Sequence, residues 1–317
     1  MNIVVLDGYT VNPGDNSWAA LEQLGEVAVY DRSSRERVLE RARAADIVLT
    51  NKVALDASVL AHLPRLRFIS VLATGYNVVD TVAARRQGIP VSNVPEYGTQ
   101  SVAQHTFALL LELCHHVGLH HRAVLAGEWT QAADFCFWKT PPIALAGLTM
   151  GIIGLGRIGR RVAAFAEVFG MRVIAATAGP VEITEHALER QSVSEVFARA
   201  DVVSLHCPLT SANAEFVNHV LLARMKPTAF FINTARGSLV NERDLAAALD
   251  SGRIAGAAVD VISVEPMRSD NPLLRARNCI ITPHMAWGSL AARRRLMAIT
   301  VQNVAAFLAG RPINVVN

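Results

Sequence analysis

Three polar residues of this chain could share one reaction. Arg236 stands in Asn233-Thr234-Ala235-Arg236-Gly237, Glu265 in Asp260-Val261-Ile262-Ser263-Val264-Glu265-Pro266, and His284 in Thr282-Pro283-His284. Each follows an apolar run that reads as a β-strand: Ala229–Asn233, Ala257–Val261 and Cys279–Ile281. A guanidinium can clamp a carboxylate bidentately and polarise a carbonyl. An imidazole can give or take the proton of an alcohol. A carboxylate beside it fixes the tautomer and favours the protonated ring near neutral pH. Taken singly, His284 could be a satisfied interior histidine, Arg236 a surface ion-pair partner and Glu265 a loop carboxylate before a proline. Their joint placement at three strand ends argues for chemistry. With a nicotinamide supplying hydride, the three would suffice to reduce a 2-keto acid.

The stretch that would hold such a group lies upstream. An apolar strand, Thr149 to Ile153, runs into Gly154-x-Gly156-x-x-Gly159. A helical pattern begins at Arg160, with Val162, Phe165, Ala166 and Phe169 on one face, and stops at Gly170. A second β run, Met171–Ala176, follows. Strand, glycine turn, helix and strand form the context a dinucleotide site needs. Gly154 permits the tight turn, Gly156 lets the backbone approach a pyrophosphate, and Gly159 lets helix and strand pack closely. The alternative is a glycine-rich turn in some other α/β protein.

The positioning elements alternate in the same way along the whole chain. In residues 1–99 the strand candidates are Ile3–Asp7, Val27–Tyr30, Ile47–Thr50, Phe68–Leu72 and Val91–Asn93. Helical stretches such as Arg35–Ala45, capped by Ser34, and Asp56–Leu63 fall between them. Strand Phe68–Leu72 leads into Ala73-Thr74-Gly75-Tyr76-Asn77, whose loop amides could hold an anion or form a plain turn. A long apolar helix runs from Ser101 to about His115-His116. The aromatic stretch from Gly127 to Trp138 reads as a loop packed against something such as a cleft. Later elements are strand Val202–Leu205, helix Glu242–Asp250 and a last helix from Ser289 to Ala309. His115-His116 and His120-His121 read as helix surface, and Arg293-Arg294-Arg295 as a solvated face.

Composition narrows the class. With 317 residues, 51% hydrophobic and 18% charged, the chain suits two globular domains with large cores. No apolar run reaches the ~18 residues of a membrane span, and Met1 to Asp7 reads as a strand and not as a signal peptide. A net charge of +3 with scattered Lys and Arg gives no footprint for nucleic acid. Cys114, Cys136, Cys207 and Cys279 show neither CxxC pairing nor zinc spacing, so no metal is expected and a reduced, cytoplasmic setting fits.

The chain resembles the D-isomer-specific 2-hydroxyacid dehydrogenases, and within them the glycerate dehydrogenase, or hydroxypyruvate reductase, branch. The motifs that carry the resemblance span nearly the whole chain. They are Ala73–Asn77, Val94-Pro95-Glu96-Tyr97, Val102-Ala103-Gln104-His105, Gly151–Gly159, His206-Cys207-Pro208-Leu209-Thr210, Asn233–Gly237, Val259-Asp260-Val261 with Glu265-Pro266, and Thr282-Pro283-His284. Asp134–Lys139 and the ending Pro312–Asn317 point to the branch.

The resemblance implies an α/β fold of two doubly wound, Rossmann-like parallel-sheet domains with a cleft between them. Residues 1–99 plus 287–317 would bind substrate, the C-terminal helix crossing back, and 100–286 would bind the dinucleotide. Arg236, Glu265 and His284 would be catalytic. The amides near Thr74 and Gly75 would hold the substrate carboxylate together with Arg236. The cofactor, NAD(H) or NADP(H), would lie along Gly154, Gly156, Arg157, Ile158, Gly159, Thr177, His206, Cys207, Pro208, Thr234, Ala235, Arg236, Asp260 and His284, with Asp260 at the nicotinamide carboxamide. A homodimer joined through the coenzyme domains is implied, with no membrane or nucleic-acid partner. Alternatives within the family are another 2-keto acid or phosphite oxidation. A non-catalytic NAD-sensing corepressor is the alternative from a different class. Formate dehydrogenases fit less well because they generally carry Gln in place of Glu265.

Three positions depart from the family pattern. Many members carry Glu where Gln104 stands and Lys where Leu148 stands, the latter a surface difference. Thr177 occupies the place, 23 residues after Gly154, where NAD-binding members put an acidic residue on the ribose hydroxyls. Without that carboxylate, discrimination against a 2′-phosphate should be weak. No Arg or Lys follows in Ala178 to Ile183 to bind one. An arginine from elsewhere, such as Arg157 or one from the loop after Thr177, would have to reach the site.

Overall fold

The computed structural model describes residues 1–177 and 189–317. They form two compact units, Met1–Gly98 with Trp287–Asn317, and Thr99–Ala286. The first holds a parallel sheet of β1 (Asn2–Val5), β2 (Glu26–Val29), β3 (Ile47–Thr50), β4 (Phe68–Val71) and β5 (Val91–Ser92), ordered β2-β1-β3-β4-β5. Successive side chains point to opposite faces of a strand. Val4, Val48 and Ile69 accordingly pack with the helical segments on one side, while Ile3, Val5, Ile47 and Phe68 pack on the other. That second face is covered by the helix Leu290–Leu308, whose Phe307 stacks on Phe68 with centroids 4.5 Å apart. The C-terminal helix thus completes the first unit, and Val315 bridges back to Ser92.

The second unit carries β6 (Thr149–Ile153), β7 (Arg172–Ala176), β8 (Glu189–Arg190), β9 (Val202–Leu205), β10 (Phe230–Asn233), β11 (Gly256–Val259) and β12 (Cys279–Ile281). They run parallel in the order β12-β11-β10-β9-β6-β7-β8. The chain winds outward from β6 to β8 and then returns beyond β6, so the order reverses between β6 and β9. In such sheets ligands bind at the carboxyl ends of the strands beside that reversal. Both faces are covered: Phe231 and Leu205 pack on one side, and Phe230, Ile232 and Met150 on the other with helices Thr99–His115 and Arg157–Val168.

Several local expectations need correction. The helix after the glycine turn begins at Arg157, three residues before the expected start at Arg160, because Gly156 is its N-cap. Arg35–Ala45 is a 3₁₀ turn, Arg35–Arg37, followed by the helix Val38–Ala42, and Ser34 makes no side-chain cap. Asp56 does cap, accepting from the Val59 amide. Arg293 is no solvated residue: it is 8% exposed. Its guanidinium bonds Asp15, the Val11 carbonyl at 3.2 Å and the Gly288 carbonyl at 3.1 Å, which makes its burial tolerable. Leu148 is half-buried against the core. The aromatic stretch is not packed away within the chain, since Phe135 is 90% exposed. It is tied instead to itself, through Trp129 Nε1 donating to the Phe135 carbonyl, and to His120, whose Nε2 accepts from the Lys139 amide. His116 has left-handed backbone and separates two helices.

Candidate active site

Strands β10, β11 and β12 are neighbours, with Asn233 beside Val259 and Val259 beside Ile281. The segments leaving their carboxyl ends therefore start in one row, and they carry Arg236, Asp260, Glu265 and His284. The buried Asn233 side chain shapes the first of them, accepting from the Ala235 amide at 3.0 Å and donating to the Arg236 carbonyl at 2.9 Å. Thr234, also buried, shares a hydrogen bond of 3.2 Å with Thr106. A Cβ on Gly237 would lie 1.8 Å from the carbonyl carbon of Ile262. Only glycine lets the Arg236 segment pass so close to the segment that ends in Glu265. The Arg236 guanidinium is half-buried and donates to the Ala235 carbonyl at 2.7 Å.

His284 and Glu265 meet directly, Nδ1 to Oε2, at 2.6 Å. The second carboxylate oxygen accepts from the Ile262 amide at 3.3 Å. A carboxylate held at Nδ1 requires the proton there, which leaves Nε2 as the nitrogen that can exchange a proton with a ligand. The side chains are 25% and 35% exposed, so both reach solvent. His284 adopts φ 51°, a conformation a side chain accepts reluctantly, and its amide donates to the Asp260 carbonyl at 2.8 Å.

Asp260 is the anchor of that segment. Its carboxylate, 1% exposed, accepts from Thr282 Oγ1 at 2.6 Å, from the Met285 amide at 2.9 Å and from the Ala286 amide at 2.9 Å. His105 Nε2 lies 3.5 Å away and also contacts Thr282. Burial alone would raise this carboxyl, but the hydrogen bonds from His105, Thr282, Ala286 and Met285 outweigh it and hold the group below its ordinary value. Sequence reasoning assigned no role to His105, and it missed Glu242. The first residue of helix Glu242–Asp250, Glu242 accepts from the Ser263 amide at 2.5 Å and from Asn271 at 2.7 Å, bracing the loop that carries Glu265. A carboxylate in the first turn of a helix is a familiar sequence signal, but its partner 21 residues on is not readable.

At the reversal, Gly154 turns with φ 97°, and a Cβ there would lie 2.6 Å from the Cys207 amide nitrogen. A Cβ on Gly159 would lie 2.2 Å from the Gly154 carbonyl oxygen. These contacts press helix, turn and the His206-Cys207-Pro208 segment together. Gly156 differs: it caps helix Arg157–Val168 with no side-chain bond, and a Cβ there would meet nothing within 4 Å. The turn thus leaves an open approach to helix-start amides, as a pyrophosphate requires. Ile158 is half-buried and Arg157 exposed on the same turn. Burial pushes the His206 imidazole down to about 3, so the ring is neutral, and Nε2 pairs with Ser204 Oγ at 2.9 Å. Thr177 directly follows β7, while Ala178 to Ile183 lie outside the described residues. In the first unit, Thr74 is exposed after β4, bonded through Oγ1 to the Val94 carbonyl at 2.9 Å, and Gly75 is half-buried. Among the described residues there is no cluster of metal-ligating side chains and no helix long and apolar enough to cross a membrane.

Comparison with known proteins agrees with this arrangement. The NAD-binding domain of the D-isomer specific 2-hydroxyacid dehydrogenases matches residues 107–286. A hydroxypyruvate reductase of Blautia hydrogenotrophica is 49% identical over the whole of both chains. A glycerate dehydrogenase of Methylorubrum extorquens is 39% identical over 89% of this chain and 88% of its own. Among solved structures, an NADPH-dependent glyoxylate/hydroxypyruvate reductase of Sinorhizobium meliloti, in complex with NADP and malonate, superposes with a TM-score of 0.85. It is 28% identical, over 99% of this chain and 96% of that one. The chain is thus an NAD(P)-dependent oxidoreductase and belongs to the D-isomer specific 2-hydroxyacid dehydrogenases.

Proposed function

We propose that this enzyme reduces hydroxypyruvate to D-glycerate, and runs the reverse oxidation, with NAD(H) or NADP(H). The carrying observation is the 2.6 Å bond between His284 and Glu265 in the row of strand ends that also bears Arg236. The nicotinamide, when bound, supplies the hydride to the keto carbon. His284, protonated, gives its Nε2 proton to the carbonyl oxygen, and Glu265 keeps Nδ1 protonated and balances the ring's charge. The neutral ring is then reprotonated from solvent. In the reverse direction the neutral ring accepts the proton of the alcohol. Arg236 pairs its fork with the substrate carboxylate and polarises the carbonyl. Thr74 and Gly75 offer backbone amides that, among the described residues, have no acceptor of their own, and we assign them to the carboxylate as well.

Two further assignments belong to this reading. Thr177 cannot exclude a 2′-phosphate as a carboxylate would, so either dinucleotide is admitted. The active form is a cytoplasmic homodimer; free cysteines and exposed apolar side chains of the second unit, Leu125, Phe135, Trp138 and Val168, support it. The test is a panel of 2-keto acids assayed with NADH and NADPH. Hydroxypyruvate should give the highest kcat/KM, with glyoxylate next, and the product should be the D-isomer. Turnover of none would mark a binding module, and a clear preference for another acid would displace hydroxypyruvate.

A further inference from the structure

Arg190 lies at the end of β7, where the sequence has no acidic residue. It sits on the short edge strand β8, whose register sets Arg190 opposite Ala175. From there its side chain reaches along the sheet, and Nη2 donates to the Thr177 carbonyl at 3.1 Å. The strand is held in place by the Gln191 amide, which donates to the Ala175 carbonyl at 2.8 Å. The adjacent carboxylate does not neutralise this cation. Glu189 is engaged by both terminal nitrogens of Arg199, each at 2.9 Å, and by Gln191 at 2.5 Å. Arg190 is exposed, and among the described residues its one side-chain bond, to a carbonyl, leaves the rest of its five donors available.

In a dinucleotide-binding sheet the end of the second strand faces the adenosine ribose. A carboxylate there accepts from the ribose hydroxyls, while an arginine nearby accommodates a 2′-phosphate. Here the strand end offers a neutral threonine and a guanidinium anchored to that threonine's own carbonyl. We propose that Arg190 binds the 2′-phosphate, and that the enzyme therefore holds NADP(H) more tightly than NAD(H). The pairing is a charge-assisted, fork-to-phosphate contact at an exposed site, so a preference of about 10- to 100-fold is expected. It rests on the dinucleotide reading of the glycine turn and adds which dinucleotide is preferred.

Equilibrium titration separates the two. Wild type, Arg190→Ala and Arg190→Gln are titrated with NADP⁺, NAD⁺, 2′,5′-ADP and 5′-ADP, with no substrate present. Glutamine retains a donor for the Thr177 carbonyl but carries no charge. Wild type should bind NADP⁺ and 2′,5′-ADP about 10-fold or more tighter than NAD⁺ and 5′-ADP. Both variants should lose that advantage while keeping the affinities for NAD⁺ and 5′-ADP. The advantage should also shrink as salt rises. A wild-type preference for NAD⁺, or variants that bind NADP⁺ as wild type does, would overturn the proposal and leave the dinucleotide site standing. Equal weakening of all four ligands would assign Arg190 a purely structural role at the strand end. Binding of none of the four would defeat both readings.

Discussion

Replacing Glu265 by glutamine isolates the charge beside His284 from its geometry. The amide can still bond Nδ1, so the ring keeps its place, but the anion that favours imidazolium is gone. Two unit charges about 4 Å apart interact by about 4 kcal/mol at an effective dielectric of 20 and about 1 kcal/mol in water. With side chains 25% and 35% exposed, the pair lies between these limits. Solvent screening pulls it toward the lower one, and a charge-assisted hydrogen bond is worth about 1.5–3 kcal/mol in any case. Loss of that charge-assisted bond converts to a fall of about 10- to 100-fold in kcat/KM for the keto acid. The assay is kcat/KM for wild type and Glu265→Gln, with cofactor Kd measured on the same samples. An unchanged kcat/KM would refute an electrostatic role, and a fall matched by weaker cofactor binding would leave Glu265 a structural brace.

Three further outcomes follow from the same geometry. Arg236→Lys keeps the charge but loses the fork, so kcat/KM for the keto acid should drop by about 10- to 100-fold; cofactor Kd, read by titration, should barely change. Gly237→Ala drives a Cβ into the Ile262 backbone, 1.8 Å from its carbonyl carbon, and the atoms it meets are main-chain atoms, not the end of a flexible side chain. Denaturant unfolding should show a loss at or above the ~3 kcal/mol top of ordinary overpacking, with turnover falling alongside it. The neutral His206, with an imidazole pushed down to about 3, must charge as the protein unfolds in acid. Its contribution is complete above the ordinary 6.5 and is lost as pH falls toward about 3, by up to about 1.4 kcal/mol per unit. His206→Asn should flatten the stability profile in that window, and an unchanged slope would mean the ring is already charged.

The parallel sheets, and the strand ends that carry Arg236, Glu265 and His284, were legible because they are local signals. Strand cores such as Phe230–Asn233 are continuous apolar runs ending in turn chemistry, and the glycine spacing at Gly154, Gly156 and Gly159 encodes close approaches within one βαβ unit. The misreadings share a different cause. Arg293 looks like surface in a basic run, and only Asp15 and Val11, some 280 residues away in sequence, make it interior. The partners that hold the Asp260 carboxylate, Thr282, Met285 and Ala286 among them, are likewise invisible in its spacing. The two-residue strand β8 has no periodicity to detect, so Arg190 was visible only as an unspecified arginine beyond Thr177. Partners fixed by tertiary contact leave no trace in spacing.

In the proposed mechanism His284 handles the proton of the reaction. The direct measurement is hydroxypyruvate reduction by His284→Asn beside wild type, with nicotinamide dinucleotide affinity measured on the same samples. Cofactor Kd should be unchanged while kcat falls by roughly 10²-fold or more, the scale of general acid–base work. Turnover within a few-fold of wild type, at equal cofactor affinity, would remove His284 from the mechanism.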